Sequence, residues 1–125
     1  MGFEVDLKDF IKNLNFIKHG QELKFGDESL KVLDLPGHTP GGTGLYSSKE
    51  KMVFVGDTLF QSSIGRTDFP KSNFKSLMKG IMEHLMALPD DTLVLPGHGP
   101  TTTIGKERSS NMFIQTEIIK AQRKL

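Results

Sequence analysis

The sequence lacks cysteine altogether, since none of its 125 residues is a cysteine. The chain can therefore form neither a disulfide nor a metal site with thiolate ligands. Long apolar runs are also missing, because no segment approaches the roughly 18 consecutive apolar residues of a membrane-spanning helix. The N-terminal residues have no basic segment followed by an apolar core, which a secretory signal requires. Together these absences predict a soluble, cytoplasmic protein.

An excess of charge of either sign is missing as well. The 16 lysine and arginine residues against 15 aspartate and glutamate residues give a net charge of +1. Nothing in this balance favours nucleic acid or an anionic membrane as a partner. With 36% hydrophobic and 25% charged residues, the composition is that of a globular protein. A chain of this length predicts a single domain over residues 1–125.

What the sequence does contain is one short motif in two copies. Leu35–Gly42 reads Leu-Pro-Gly-His-Thr-Pro-Gly-Gly, and Leu95–Pro100 repeats it as Leu-Pro-Gly-His-Gly-Pro. An apolar, β-branched run precedes each copy, and the Pro-Gly pair then makes the chain leave its strand. His38 and His98 are therefore predicted to lie on turns at two strand ends, where few conformers are open to them.

A third strand end supplies a carboxylate. The apolar run Met52–Val55 predicts a strand buried on both faces, and it leads directly into Gly56 and Asp57. Imidazole and carboxylate groups are ligands for zinc, manganese or ferrous iron, and the two oxygens of a carboxylate can bridge two ions. His38, Asp57 and His98 thus form a candidate metal site. The alternative is that the histidines are ordinary turn residues and that Asp57 closes an Asx-turn.

Other polar side chains have simpler interpretations. Arg66 lies in a polar loop over residues 57–70, where it either pairs with Asp68 or binds an anionic group of a substrate. His19 falls in a predicted turn and His84 at the edge of a helix face. A surface or packing role is therefore expected for both histidines.

Hydrophobic periodicity predicts the remaining elements. A helix begins at Ser72 or Asn73 and extends to about Leu88, and a short amphipathic helix lies within residues 1–20. The loop over residues 57–70 shows no period and has the length of a functional loop. The other predicted elements are a hairpin over residues 21–35, strands 43–47 and 92–95, and helices near 104–110 and 113–125.

Four motifs, in their order along the chain, resemble the metallo-β-lactamase superfamily, and within it the glyoxalase II-like hydrolases. They are Leu35–Gly42, Phe54–Phe60, Ser63–Asp68 and Leu95–Gly99. The resemblance implies an α/β fold that corresponds to the C-terminal half of an αββα sandwich. That half has a mixed, mainly antiparallel sheet with helices on one face.

The same resemblance implies a role for each candidate ligand. His38 would ligate a first metal, Asp57 would bridge both metals, and His98 would ligate the second. Zinc is the expected metal, with iron or manganese as alternatives. The parent activity would be metal-dependent hydrolysis of a small thioester or ester, as in the hydroxyacylglutathione hydrolases.

One departure from the family pattern limits this expectation. The family's N-terminal motif, His-x-His-x-Asp-His, is absent from the sequence. The chain is therefore expected to be a fragment, or to pair with a half encoded elsewhere, and to be weakly active or inactive alone. Two alternatives are a non-catalytic interaction module and a mononuclear iron oxygenase of the same superfamily. Because the N-terminal half covers one sheet face in the resembled family, that face is expected to be open here, which favours a homodimer.

Overall fold

The computed structural model of the chain describes residues 20–25, 28–39, 41–68 and 70–124. The helix predicted near the N-terminus and His19 fall outside these ranges. The described strands are β1 (Glu22–Phe25), β2 (Glu28–Asp34), β3 (Thr43–Ser47), β4 (Met52–Gly56), β5 (Leu59–Phe60), β6 (Ser63–Ile64), β7 (Leu93–Pro96) and β8 (Thr102–Thr103). The described helices are α1 (Phe74–Gly80), α2 (Ile104–Ser110) and α3 (Met112–Arg123).

The large sheet is mixed and mainly antiparallel. Among the described residues it has six strands in the order β1-β2-β3-β4-β7-β8. Every neighbouring pair is antiparallel except β4 and β7, which run parallel with Val53 beside Val94. The predicted hairpin over residues 21–35 and the strand over 43–47 are confirmed as β1, β2 and β3. The fold class predicted from the sequence is therefore confirmed.

The directions of the strands bring three of their ends to one edge of the sheet. β2 and β4 are both antiparallel to β3, so they run the same way, and β7 is parallel to β4. The C-terminal ends of β2, β4 and β7 therefore point to the same edge. His38, Asp57 and His98 follow these three ends in the sequence.

Helix α1 begins where the sequence predicts and ends earlier. The Asn73 side chain accepts a hydrogen bond from the Ser76 backbone N–H at 3.0 Å, which caps the helix. After Gly80 the chain widens into a π-helical turn over Ile81–Leu85, closed by the Met86 N–H on the Ile81 carbonyl at 2.8 Å. The helix was predicted to reach about Leu88; a proline follows that residue and disfavours helical backbone there.

The segment predicted as an irregular loop over residues 57–70 contains regular structure. β5 and β6 form a two-stranded antiparallel hairpin in which Leu59 pairs with Ile64. Strands of two residues are too short to show a hydrophobic period, so the pattern could not reveal them. Further along the chain, α2 has the predicted bounds, and α3 starts one residue before the predicted position 113.

Two hydrophobic clusters lie on the two faces of the sheet. The first joins strand residues to the helices and includes Val53 and Val55 of β4. The described members of the second are strand residues, and they include Phe54 of the same strand. Alternate residues of β4 thus enter different clusters, so the predicted burial of this strand on both faces is confirmed.

The sheet face that was expected to be open is buried within the single chain. Leu30, Val32 and Leu45 in the second cluster are 0%, 1% and 2% exposed. Leu23, Met52 and Leu93 from the strands also pack against this cluster. The expectation of an open apolar face is therefore wrong for these residues. The homodimer was inferred from that open face, so it stays a prediction without this support. Among the described residues, the large apolar side chains that are exposed belong instead to helices: Phe74, Met112, Phe113 and Ile119.

Within the described ranges, no helix combines the length and the apolar character that a membrane span requires.

The buried side chain of Leu85, in the π-helical turn, is expected to contribute strongly to the free energy of unfolding. Leu85→Ala removes a fully buried side chain from the first cluster and should lower the free energy of unfolding by about 2–5 kcal/mol. Met112→Ala, at a residue that is 72% exposed, should change it by about 0.5 kcal/mol or less. Urea titration followed by circular dichroism measures both values. Equal losses in the two variants would contradict the placement of Leu85 in the core.

Candidate metal centre

The first histidine lies on a turn that packs directly against α1. Gly37 has a φ of +136°, and a Cβ atom at this position would lie 2.5 Å from the backbone of Leu77. The Gly37 carbonyl also accepts a hydrogen bond from the Asn73 backbone N–H at 2.7 Å. Only glycine fits this close approach, so the Pro-Gly pair sets the direction in which His38 leaves β2.

Two glycines allow other segments to reach Asp57. A Cβ atom on Gly97 would lie 2.7 Å from the Asp57 Oδ1 atom, and one on Gly65 would lie 2.0 Å from the Asp57 carbonyl oxygen. The Gly97 N–H donates to the Gly56 carbonyl at 2.8 Å, which ties the second Pro-Gly-His turn to the end of β4. The turn carrying His98 and the segment after β6 can therefore both pack around this carboxylate.

The structure brings the three predicted side chains together around Asp57. The His38 Nε2 atom lies 3.7 Å from Asp57 Oδ2, and the His98 Nδ1 atom lies 3.2 Å from Asp57 Oδ1. Two donors that bind one ion at about 2.1 Å in tetrahedral geometry lie roughly 3.4 Å apart. Both separations are close to that value, and each histidine faces a different oxygen of the carboxylate. The role of the three residues as ligands stays a prediction.

The described residues do not by themselves form a complete site for a metal ion. In the part of the chain that the structure describes, no group of three or more His, Cys, Asp or Glu side chains is arranged to hold one metal ion. An ion at each oxygen of Asp57 would instead have one histidine and this carboxylate. Two nitrogens and a bridging carboxylate are the ligand types of zinc and iron sites. Each ion would then have two protein ligands from the described residues, fewer than the three or four of a complete zinc site.

The two histidines differ in exposure and in their supports. The side chain of His38 is 24% exposed, that of Asp57 is 44% exposed and that of His98 is 75% exposed. The His38 Nδ1 atom lies 3.0 Å from the Arg66 carbonyl oxygen. A carbonyl oxygen can only accept, so His38 Nδ1 donates this hydrogen bond, and Nε2 faces Asp57. His98 packs instead against the Phe60 ring, with the ring centroids 4.6 Å apart.

The Arg66 side chain forms the pair with Asp68 that was one of its two predicted roles. Its Nε atom donates to Asp68 Oδ1 at 3.0 Å, and an Nη atom donates to Oδ2 at 3.2 Å. This charge-assisted hydrogen bond raises the pKa of Arg66 above its ordinary value and lowers the pKa of Asp68 below its ordinary value. Both side chains are largely exposed, so the pair contributes little to stability.

The sequence did not reveal three residues that support the site. It did predict that His84 lies away from the site. Gly65, Gly97 and Phe60 lie inside the quoted motifs, but their contacts with Asp57 and His98 depend on the tertiary fold. His84 lies on the π-helical turn and lines a separate surface cavity with Asp34, Lys79 and Glu83.

Comparison with known proteins gives the class of this protein. The model of the metallo-beta-lactamase superfamily matches residues 3–98. The chain is 42% identical over 108 residues to the hydroxyacylglutathione hydrolase GloC of Haemophilus influenzae, covering 86% of this chain and 51% of that protein. The chain therefore belongs to the metallo-β-lactamase superfamily. It spans about half the length of the curated relatives that it matches.

Solved structures agree with this class. The BLEG-1 B3 metallo-beta-lactamase matches with a TM-score of 0.76 and 40% identity, covering 80% of this chain and 48% of that chain. A di-iron-bound form of TTHA1623 matches with a TM-score of 0.72 and 42% identity, again covering 80% of this chain and 48% of that chain. The fold is thus shared with longer proteins, of which the matched part is about half, and one of these was solved in a di-iron-bound form.

The Arg66–Asp68 pair gives a testable pH dependence. Arg66→Gln removes the cation and should raise the pKa of Asp68 toward its ordinary value. A carboxylate with a lowered pKa adds stability above its unfolded-state pKa, and this stability is lost as the pH falls through the folded-state value. Carboxyl carbon NMR titration measures the shift. Lys49→Gln, in the turn between β3 and β4 at the opposite sheet edge, is the control. An Asp68 midpoint that is the same in wild type and both variants would contradict the pairing.

Proposed function

We propose that this chain supplies one half of a two-metal hydrolase centre that acts on thioesters or related acyl bonds. The observation that carries the proposal is the carboxylate of Asp57, whose two oxygens face two different histidines. A carboxylate whose two oxygens each face a histidine is suited to bridging two ions. Membership of the metallo-β-lactamase superfamily supports hydrolysis as the reaction class.

Zinc is the metal that we propose first, and iron is the main alternative. Two imidazoles and a carboxylate suit both, and manganese to a lesser degree. The di-iron-bound structure of a protein 42% identical to this chain supports iron. When bound at such a centre, two ions lower the pKa of water and stabilise the negative charge that develops on the attacked carbonyl oxygen.

The chain's own residues hold the ligands in place for this chemistry. The Arg66 carbonyl fixes the His38 ring so that Nε2 faces the centre. Phe60 limits the rotation of the more exposed His98 ring. The Arg66 side chain is the candidate contact for an anionic group of the substrate, in exchange for its bond to Asp68.

We propose that the remaining ligands come from a segment outside this chain. Three side chains leave each ion with two protein ligands, and the curated relatives are about twice as long as the matched region. The chain alone is therefore expected to be weakly active or inactive. A second copy of the chain is the less favoured source, since the sheet face on which a homodimer was expected to form is buried.

Metal binding by the isolated chain is the first test. Asp57→Ala should abolish the binding of zinc or ferrous iron, because both proposed ions share this carboxylate. His84→Ala should leave the metal content unchanged, because His84 lines a different cavity. Equilibrium dialysis followed by elemental analysis measures both.

Two results would count against the proposed centre. Equal metal content in wild type and Asp57→Ala would place the metal elsewhere. No bound metal in any variant would favour a non-catalytic interaction module.

Hydrolysis is tested in a chimera that completes the centre. In the Haemophilus influenzae relative, the half that matches this chain is replaced by this chain. Release of free thiol from a hydroxyacylglutathione thioester should then depend on added metal. The same chimera with Asp57→Ala should fall to the background rate, and with His84→Ala it should keep its rate. A chimera that folds and binds metal but releases no thiol would contradict the proposed reaction.

A further inference from the structure

A fully buried carboxylate lies under the β5–β6 hairpin, and the proposed centre makes no direct use of it. Glu107 of α2 is 0% exposed. Its Oε1 atom accepts hydrogen bonds from the Ser62 backbone N–H at 2.8 Å and from the Asn111 side-chain amide at 2.9 Å. Its Oε2 atom accepts from the Thr102 hydroxyl at 2.6 Å. One carboxylate thus joins the hairpin, the α2–α3 junction and strand β8.

Asn111 completes the attachment of the hairpin. It is also 0% exposed, and its side-chain amide donates a second hydrogen bond to the Ser63 carbonyl at 3.1 Å. Its Oδ1 atom accepts from the backbone N–H groups of Phe113 and Ile114, which caps α3. Two consecutive hairpin residues are therefore held by side chains from the same buried network.

The hairpin needs such an anchor because its turn is strained. Ser62 has a φ of +61°, a conformation that residues other than glycine rarely adopt. Its exposed side chain offers no packing to stabilise this conformation. The bond from its N–H to a buried carboxylate does so, since breaking it would leave a carboxylate oxygen poorly satisfied in the interior.

The anchored hairpin leads directly into the support of His38. After β6, the Gly65 N–H donates to the Thr58 carbonyl at 2.9 Å, and Gly65 packs against Asp57. The next residue, Arg66, gives its carbonyl to the His38 Nδ1 atom. The position of that carbonyl therefore depends on a segment that Glu107 and Asn111 anchor by hydrogen bonds to Ser62 and Ser63.

We propose that Glu107 is a positioning residue for His38. By holding the hairpin, it places the Arg66 carbonyl where that oxygen accepts a hydrogen bond from His38 Nδ1–H, so that Nε2 faces Asp57. The consequence for metal affinity rests on the proposed function, whereas the selection of the tautomer rests on the hydrogen bonds alone. The Glu107 carboxylate bonds to Ser62, Asn111 and Thr102 and not to the proposed ligands, so it acts through the backbone of residues 62–66.

The test measures the tautomer of His38 in the metal-free protein. Long-range proton–nitrogen NMR of the imidazole rings reports it, at about pH 8.5, where a free imidazole is neutral. Wild type should show the Nδ1–H form for His38. Glu107→Ala should shift most of the population to the Nε2–H form. Glu107→Gln should keep the wild-type form, because its amide can still accept from Ser62 and donate to Thr102.

Two controls separate positioning from a general loss of stability. Leu85→Ala is expected to destabilise the fold strongly and should leave the His38 tautomer unchanged. If Glu107→Ala does not fold, Glu107→Asp replaces it, since the shortened carboxylate cannot reach Ser62 and Asn111 together, and it should shift the tautomer in the same direction. An unchanged tautomer in a folded Glu107→Ala or Glu107→Asp variant would overturn the proposal.

Metal affinity keeps the two proposals distinguishable. If the proposed centre exists, Glu107→Ala should weaken zinc binding about 10- to 100-fold, as loss of an outer-shell support does, and Glu107→Gln should restore it. If neither wild type nor the chimera binds metal, the proposed function fails, while the tautomer shift still decides the role of Glu107. If wild type binds metal and Glu107→Ala leaves both tautomer and affinity unchanged, only the positioning role fails.

Discussion

Three segments of backbone can meet at Asp57 only because two of them present glycine. A side chain at Gly65 or Gly97 would overlap atoms of Asp57 at distances of 2.0 Å and 2.7 Å, well inside van der Waals contact. The candidate centre depends on this close approach more than on any single hydrogen bond. It explains why the histidine-bearing turn at the end of β7 and the segment after β6 converge on one carboxylate. It also explains why glycine occupies positions 65 and 97, where any side chain would overlap Asp57.

The sheet makes this convergence possible at longer range. β2, β4 and β7 run in the same direction, although β2 and β4 are separated by an antiparallel strand and β7 follows α1 and its π-helical turn. Residues that are sixty positions apart in the sequence, such as His38 and His98, therefore reach the same sheet edge. The close packing of Gly37 on Leu77 then fixes the first turn against α1. Topology brings the residues to one edge, and local packing sets their final separation.

The sequence predicted the parts of the fold whose signal is local. The Pro-Gly-His turns and the apolar runs before them identify the candidate residues, because proline and glycine impose their backbone conformations wherever they occur. The β5–β6 hairpin and the π-helical turn were missed, since strands of two residues and a single wide turn leave no period. Glu107 gave no signal either, because a carboxylate in a short helix with lysine and arginine as neighbours reads as a surface residue. The burial of the second sheet face was missed for a related reason: what covers a sheet face is a property of the tertiary fold and not of the strand pattern.

The two sides of the candidate centre are ordered to different degrees before any metal or partner segment arrives. His38 is held between a carbonyl oxygen and a carboxylate, and its support continues inward to the buried Glu107 and Asn111. His98 is 75% exposed and has the Phe60 ring and Asp57 as its contacts. Ordering a side chain on binding costs free energy, so a preorganised ligand binds with less loss of entropy. The His38 side is therefore the preorganised part of the centre, and the His98 side is the part that an incoming segment would have to order.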